Sequence, residues 1–264
     1  MSVMIACVDA FTARPFGGNP AGVCLLEGNR GDDWMQQVAT EMNLAETAFV
    51  SQGPGDGFAL KWFTPTTEME LCGHATLAAA HLLWTEGRVP SSQTIGFDTK
   101  SGRLTASRRG EFIELDFPAE PATELEPPGD IADVLGESPV FFGRNRMDYI
   151  AELSSEASVR SLRPNLAAIT GYDARGIIVT SRSAAAEFDF VSRFFAPRVG
   201  IPEDPVTGSA HCCLGPFWAH RLHKPDLVGY QASPRGGVVR VSNNGHRVLL
   251  GGTAVTIHRG TLLC

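Results

Sequence analysis

One sequence pattern occurs twice in the chain, and this internal repeat restricts the fold more than any other feature. Residues 63–84 read "FTPTTEMELCGHATLAAAHLLW", and residues 195–218 read "FAPRVGIPEDPVTGSAHCCLGPFW". Each segment starts with Phe-x-Pro, passes an acidic loop and a glycine, and continues as a run of small and apolar residues. The pattern predicts a strand, a loop and a buried helix in each half of the chain. The alternative is that two unrelated strand-to-helix junctions share the proline and glycine that such junctions favour.

The repeat predicts two similarly folded halves whose helix starts face each other across a cleft. A helix N-terminus carries unpaired backbone N–H groups and a partial positive charge, so two of them aimed at one point form an anion site. Gly73 and Gly208 stand at these starts and have no Cβ, which lets a ligand approach the backbone closely. We therefore expect a small carboxylate as the substrate.

The rest of the chain predicts many strands and few helices. Because strands and helices do not alternate regularly, a mixed α+β architecture is favoured over a doubly wound sheet. The segment 118–130, "PAEPATELEPPGD", is rich in proline and glutamate and marks the predicted domain boundary. The predicted domains are residues 1–117 and 118–264, and in an alternative division the C-terminal strand joins the first domain.

Composition excludes several classes of partner and cofactor. The net charge of −7 disfavours nucleic acid and anionic membranes. No segment approaches the roughly 20 apolar residues of a membrane span, and there is no basic leader, so we expect a cytoplasmic protein. The six cysteines lack the spacing of a zinc site and are expected as reduced thiols. Nucleotide-binding motifs are absent as well, so we expect neither a metal nor another cofactor.

Four polar residues near the two helix starts are candidates for catalysis. Glu46, His74, Asp204 and Ser209 supply carboxylates, an imidazole and a hydroxyl, which proton transfer at a carbon next to a carboxylate requires. Each residue also has a structural interpretation. Glu46, Asp204 and Ser209 can cap backbone amides, and His74 can be a hydrogen-bonded core histidine. The combination favours the catalytic interpretation.

Five blocks, in order along essentially the whole chain, resemble the signature blocks of the PhzF family, the phenazine-biosynthesis isomerase-like proteins. The resemblance implies two similar domains, each a barrel-like mixed β-sheet around a central helix, as in diaminopimelate epimerase. It places the active site in the cleft between the domains. It also implies a cofactor-free isomerase that is typically a homodimer. The blocks are "DAFTARPFGGNPAGV", "EMNLAETAFV", "WFTPTTEMELCGHATLAAA", "FFAPRVGIPEDPVTGSAH" and "GYQASPRGGVVRV".

The resemblance also implies roles for the site residues. In the best-understood member of the family the substrate is trans-2,3-dihydro-3-hydroxyanthranilate, and one glutamate moves a proton from one ring carbon to another. That glutamate matches Glu46, and the supporting aspartate and histidine match Asp204 and His74. The predicted substrate-binding residues are Gly73, Gly208, Ser209 and Asn19.

The predicted function is therefore a cofactor-independent isomerase that uses Glu46 as general acid and base on a small, cyclic or conjugated carboxylic acid. Two alternatives stay open: an epimerase of amino or hydroxy acids, and a non-catalytic carboxylate-binding protein. The related racemases use one cysteine from each half. Here only Cys72 stands near a helix start, while Asp204 occupies the neighbourhood of the other, so racemisation by two thiols is disfavoured.

Overall fold

A computed structural model describes residues 2–28, 30–53 and 55–264. The chain divides into two compact units, one formed by Met1–Asp116 with Gly251–Cys264 and the other by Phe117–Leu250. The C-terminal segment belongs to the first unit because its strand pairs antiparallel with the first strand of the chain, from Val3 opposite Leu262 to Ala10 opposite Ala254.

The strands and the helices are numbered separately in chain order. The strands are β1 (Val3–Ala10), β2 (Asn19–Leu25), β3 (Glu46–Gln52), β4 (Phe58–Phe63), β5 (Glu68–Met69), β6 (Ile95–Thr99), β7 (Gly102–Arg109), β8 (Phe112–Pro118), β9 (Thr123–Glu124), β10 (Phe141–Arg144), β11 (Tyr149–Glu152), β12 (Ile177–Arg182), β13 (Phe190–Ala196), β14 (Ile201–Asp204), β15 (Asp226–Gln231), β16 (Gly237–Asn244), β17 (Arg247–Gly252) and β18 (Ala254–Leu262). The helices are α1 (Asp32–Met42), α2 (Gly73–Thr85), α3 (Ile131–Leu135), α4 (Glu156–Ser161), α5 (Leu166–Thr170) and α6 (Gly208–Leu222), with a 3-10 turn at Pro197–Val199.

In the first unit, β1 is antiparallel to both β2 and β18. Strand β2 runs parallel to β3, with α1 in the connection, and β3 is antiparallel to β4. Strand β4 pairs antiparallel with the short β5 and parallel with β6, and α2 lies in the connection between β5 and β6. Strands β6, β7 and β8 then continue as an antiparallel series.

The second unit repeats this order of pairings. Strand β10 is antiparallel to β11, which runs parallel to β12 after α4 and α5. Strand β12 is antiparallel to β13, which pairs antiparallel with β14 and parallel with β15, and α6 precedes β15. Strand β15 is antiparallel to β16. The internal repeat of the sequence is thus a repeat of topology, and the predicted α+β class with two similar halves is confirmed.

Helices α2 and α6 are apolar on nearly all sides because each is packed into its unit. Helix α2 contacts β1, β2, β3 and β18, and α6 contacts β15 and β16. Small residues allow this close packing. A Cβ at Gly215 of α6, for example, would lie 2.8 Å from Val241 Cγ1. Within the described ranges, no helix is long and apolar enough to cross a membrane.

Candidate active site

The first unit buries a carboxylate and an imidazole side by side. Glu46 is the first residue of β3, and His74 is the second residue of α2. His74 Nε2 lies 3.2 Å from Glu46 Oε2, and the two side chains are only 6% and 8% exposed. They meet because β3, which starts at Glu46, packs against the central helix that carries His74. The arrangement is an ion pair shielded from solvent.

The protonation of His74 depends on its neighbours. Burial lowers the pKa of His74, but Cys72 and Glu46 raise it by more, so the pKa of the ring stands well above its ordinary value. Nδ1, the second ring nitrogen, lies 3.2 Å from Asn19 Nδ2. An asparagine amide offers both a donor and an acceptor, so Asn19 can serve the neutral and the protonated ring alike. His74 can therefore gain or lose a proton without losing its contact with Asn19.

Cys72 lies on the same side of the ring as Asn19. It is the N-cap residue of α2, and its Sγ is 3.6 Å from His74 Nδ1. Burial, together with the nearby charge of Glu46, raises the pKa of the Cys72 thiol. Glu46, Cys72 and His74 each offer one ligand atom, and these atoms lie within 4.8 Å of one another.

Gly73 opens α2 directly beside this cluster. The Cys72 side chain does not cap the first turn, and that turn contains no acidic residue. The backbone N–H groups of the turn thus keep the partial positive charge of a helix start, which favours an anion. The structure brings together four of the predicted residues, namely Asn19, Glu46, Gly73 and His74.

In the second unit, Asp204 organises the loop that enters α6. Its Oδ2 accepts a 2.5 Å hydrogen bond from Thr207 Oγ1, and Thr207 is the N-cap residue of α6. The buried Gln231 side chain accepts from Thr207 N at 2.8 Å and donates to the Asp204 carbonyl at 2.7 Å. These bonds fix the segment just before Gly208, the first residue of the helix.

Ser209 contacts Arg175, which in turn contacts Asp148, and neither of these two residues was predicted from the sequence. Its Oγ accepts a 2.8 Å hydrogen bond from Arg175 Nη2. Arg175 also forms a two-pronged contact with Asp148, at 2.9 Å from Nε and 2.5 Å from Nη2. The Asp148 side chain is fully buried, and Arg175 is 27% exposed. No spacing rule joins residues 148, 175 and 209. Residues 148 and 175 also lie outside the two repeated segments, so the sequence carries no signal for them.

The two units carry different chemistry at equivalent positions. His74 and Ser209 are the second residues of the two central helices. Glu46 starts β3, whereas Arg175 stands two residues before β12, the equivalent strand. Asn19 starts β2, and Asp148 directly precedes the equivalent β11. The first unit thus holds an acid–base pair at its helix start, and the second unit holds a fixed cation.

The fold places the chain in the diaminopimelate-epimerase-like class. A predicted epimerase of Pseudomonas aeruginosa has a TM-score of 0.75 to this chain at 20% identity, with 99% of each chain covered, which is a likeness of fold alone.

Within this class, the chain belongs to the PhzC-PhzF family, whose model, described as "Phenazine biosynthesis-like protein", matches residues 8–260. The crystal structure of a PhzF-family phenazine biosynthesis protein from Enterococcus faecalis has a TM-score of 0.96 and 39% identity, with 100% of both chains covered. A protein of Halalkalibacterium halodurans named as an uncharacterized isomerase is 54% identical over 264 residues, which are 100% of this chain and 99% of the relative. The predicted family and the predicted isomerase class are confirmed.

Proposed function

We propose that this protein moves a proton between two carbons of a small conjugated or cyclic carboxylic acid without a cofactor, with Glu46 as the general acid and base. The observation that carries the proposal is the buried contact of 3.2 Å between Glu46 Oε2 and His74 Nε2. A carboxylate held beside an imidazolium at an uncapped helix start has the groups that such a proton shift needs.

The proposed reaction has two steps. The Glu46 carboxylate removes a proton from a carbon of the conjugated system, and the electron pair spreads toward the carboxylate or carbonyl of the substrate. Glu46 then returns the proton to another carbon, so a double bond moves and no atom is gained or lost. Protonation of Glu46 removes its ion pair with His74, and this loss favours delivery of the proton onward.

The negative charge that develops needs donors close to it. The N–H groups at the start of α2, from Gly73 onward, supply them in the first unit. Asp204, Gly208 and Ser209 of the second unit are proposed to orient and bind the substrate, and Arg175 holds the Ser209 hydroxyl. These roles are separable from that of Glu46, because each can be tested by its own substitution.

The first experiment identifies the reaction type. The protein is incubated in heavy water with a panel of cyclic and conjugated carboxylic acids that includes trans-2,3-dihydro-3-hydroxyanthranilate. Nuclear magnetic resonance locates the deuterium, and absorbance follows the conjugated system. Deuterium at a new carbon together with a changed absorbance supports the proposal. Absence of exchange into every acid of the panel argues for a carboxylate-binding protein that does not catalyse the reaction.

The likeness of fold to a predicted epimerase makes epimerisation the second candidate. An epimerase would place deuterium on the carbon that lost the proton and would invert its configuration. The absorbance would stay constant, because no double bond moves. The same experiment therefore separates the two candidates.

A further inference from the structure

The first unit collects three side chains of the kinds that bind zinc. Cys72, His74 and Glu46 offer a sulfur, a ring nitrogen and a carboxylate oxygen, and all three residues are buried. Thiolate and imidazole ligands together select zinc-like ions over magnesium and calcium, which prefer oxygen. The spacing rules for zinc sites did not find this set, because Glu46 lies far from the other two residues in sequence.

The distances suit one small ion. Ligand atoms about 2.0–2.3 Å from a tetrahedral zinc ion lie about 3.3–3.7 Å from one another. His74 Nε2 is 3.2 Å from Glu46 Oε2, close to this range. Cys72 Sγ lies on the Nδ1 side of the ring, 3.6 Å from Nδ1, and the chosen ligand atoms of the three residues all lie within 4.8 Å of one another. The site therefore needs the Cys72 thiol to move toward Nε2.

Charge and supporting contacts also fit. A thiolate and a carboxylate balance the two positive charges of the ion, so no net charge is buried. The Cys72 backbone is held at the helix start by Thr76 Oγ1, which donates to the Cys72 carbonyl at 2.6 Å. Asn19 lies next to His74 Nδ1 and can hold the ring when Nε2 takes the ion. Three protein ligands leave a fourth position for water or for a carboxylate.

We propose that Glu46, Cys72 and His74 form a binding site for a zinc-class divalent ion. Binding releases the thiol proton to solvent, together with any proton on the ring nitrogen that takes the ion. The site itself does not depend on the proposed function. Its consequence does rest on that function: an ion held by Glu46 and His74 prevents proton transfer, so such ions are reversible inhibitors of the isomerase.

The test uses Co²⁺, which adopts the geometry of zinc and, unlike zinc, absorbs light. Tag-free, chelator-treated protein carries Cys264→Ser throughout, because Cys264 is an exposed thiol. We expect one equivalent of Co²⁺ to produce a sulfur-to-cobalt absorption band in the near ultraviolet, and Zn²⁺ to displace it. Cys72→Ser abolishes the band. Glu46→Gln weakens binding by at least the roughly 10- to 100-fold that loss of a supporting contact costs.

The matched control is Cys212→Ser, which changes a buried thiol of the second unit and should leave the band unchanged. Circular dichroism confirms that each variant is folded. As a second measurement, Zn²⁺ should raise the Tm of the parent protein and not that of the Cys72→Ser variant. No band with millimolar Co²⁺, or an equal band in the Cys72→Ser variant, overturns the proposal. Neither readout needs a substrate, so failure of the metal site and failure of the proposed isomerase are distinguishable.

Discussion

His74 Nε2 and Glu46 Oε2 lie 3.2 Å apart inside the first unit, and both side chains are buried. The pair joins the first residue of a strand to the second residue of the central helix, so its geometry is fixed by the fold. Removal of either partner leaves a buried group that has lost its counter-charge. This relationship links the stability of the unit to its proposed chemistry.

The first prediction concerns the stability contributed by this pair. Substitution of His74 by leucine keeps the bulk of the side chain and leaves Glu46 without its cation, which should lower the free energy of unfolding by about 3–5 kcal/mol. Urea denaturation measures the change. The control is Lys61→Ala, which breaks the exposed pair between Lys61 and Asp32 and should cost below about 1 kcal/mol. Equal costs for the two substitutions would contradict the buried ion pair.

The second prediction concerns pH and His211, a fully buried residue of α6. Burial lowers the pKa of His211 to about 4, although its Nδ1 is 2.8 Å from the Thr207 carbonyl oxygen. Because the unfolded chain binds a proton near pH 6.5, this site contributes stability above that pH and loses it as the pH falls toward 4. The loss amounts to about 3 kcal/mol at most.

Urea denaturation of the parent and of the His211→Asn variant at pH 7 and pH 4.5 isolates this contribution. The parent should lose more stability than the variant over the same interval. His81, whose pKa burial also lowers to about 4, stays in both proteins and cancels in the comparison. An identical loss in both proteins would contradict the assignment to His211.

The third prediction concerns the cation of the second unit. Substitution of Arg175 by leucine leaves the fully buried Asp148 unpaired and should cost about 3 kcal/mol of stability. A second substitution, Asp148→Leu, should restore much of the loss, because the uncompensated charge is then gone. Denaturation of the parent, both single variants and the double variant gives the coupling free energy. Additive costs would show that the two side chains do not act as a pair.

The fourth prediction concerns packing around the first central helix. A Cβ at Gly252 would overlap Phe11 Cδ1 and lie 3.1 Å from Leu77 Cδ1, so Gly252→Ala should destabilise the protein by about 1–3 kcal/mol. Gly260→Ala is the matched control, since a Cβ there meets nothing within 4 Å. Thermal unfolding should show a lower Tm for the first variant and no decrease for the second. A decrease of similar size in both would point to backbone effects instead of packing.

Much of the fold could be predicted from the repeat, because the sequence signals for strands, turns and helix starts depend on neighbouring residues. Two prolines show that such local signals are not sufficient. The residue pattern from 155 to 170 favours one helix containing a proline, whereas the structure divides the segment into α4 and α5 around Pro164. Pro216, by contrast, stays inside α6. Pro216 has no backbone N–H to donate to the Cys212 carbonyl. That carbonyl instead accepts a 3.0 Å hydrogen bond from the Glu120 amide. That compensation comes from a distant segment and has no local signal.

The site was predictable to a similar extent. His74 and Gly73 follow from the helix start, whereas Glu46 is 28 positions away from His74 and came from the combination of residue types and the family resemblance. Arg175 and Asp148 escaped prediction because ion pairs between separate strands leave no spacing pattern. Alignment of the two halves by topology, available only from the structure, shows them just before the strands that are equivalent to those starting at Glu46 and Asn19.

The rate of deuterium exchange by the Glu46→Gln variant shows whether Glu46 carries the proton. The acid that the parent protein labels fastest in heavy water is the substrate. Glutamine keeps the size of the side chain and removes the base, so exchange should fall by about 10²–10⁴-fold with modest change in binding. Glu41→Gln, at an exposed position of α1, should exchange at the parent rate. Parent-like exchange by the Glu46→Gln variant would contradict the assignment of Glu46 as the group that carries the proton.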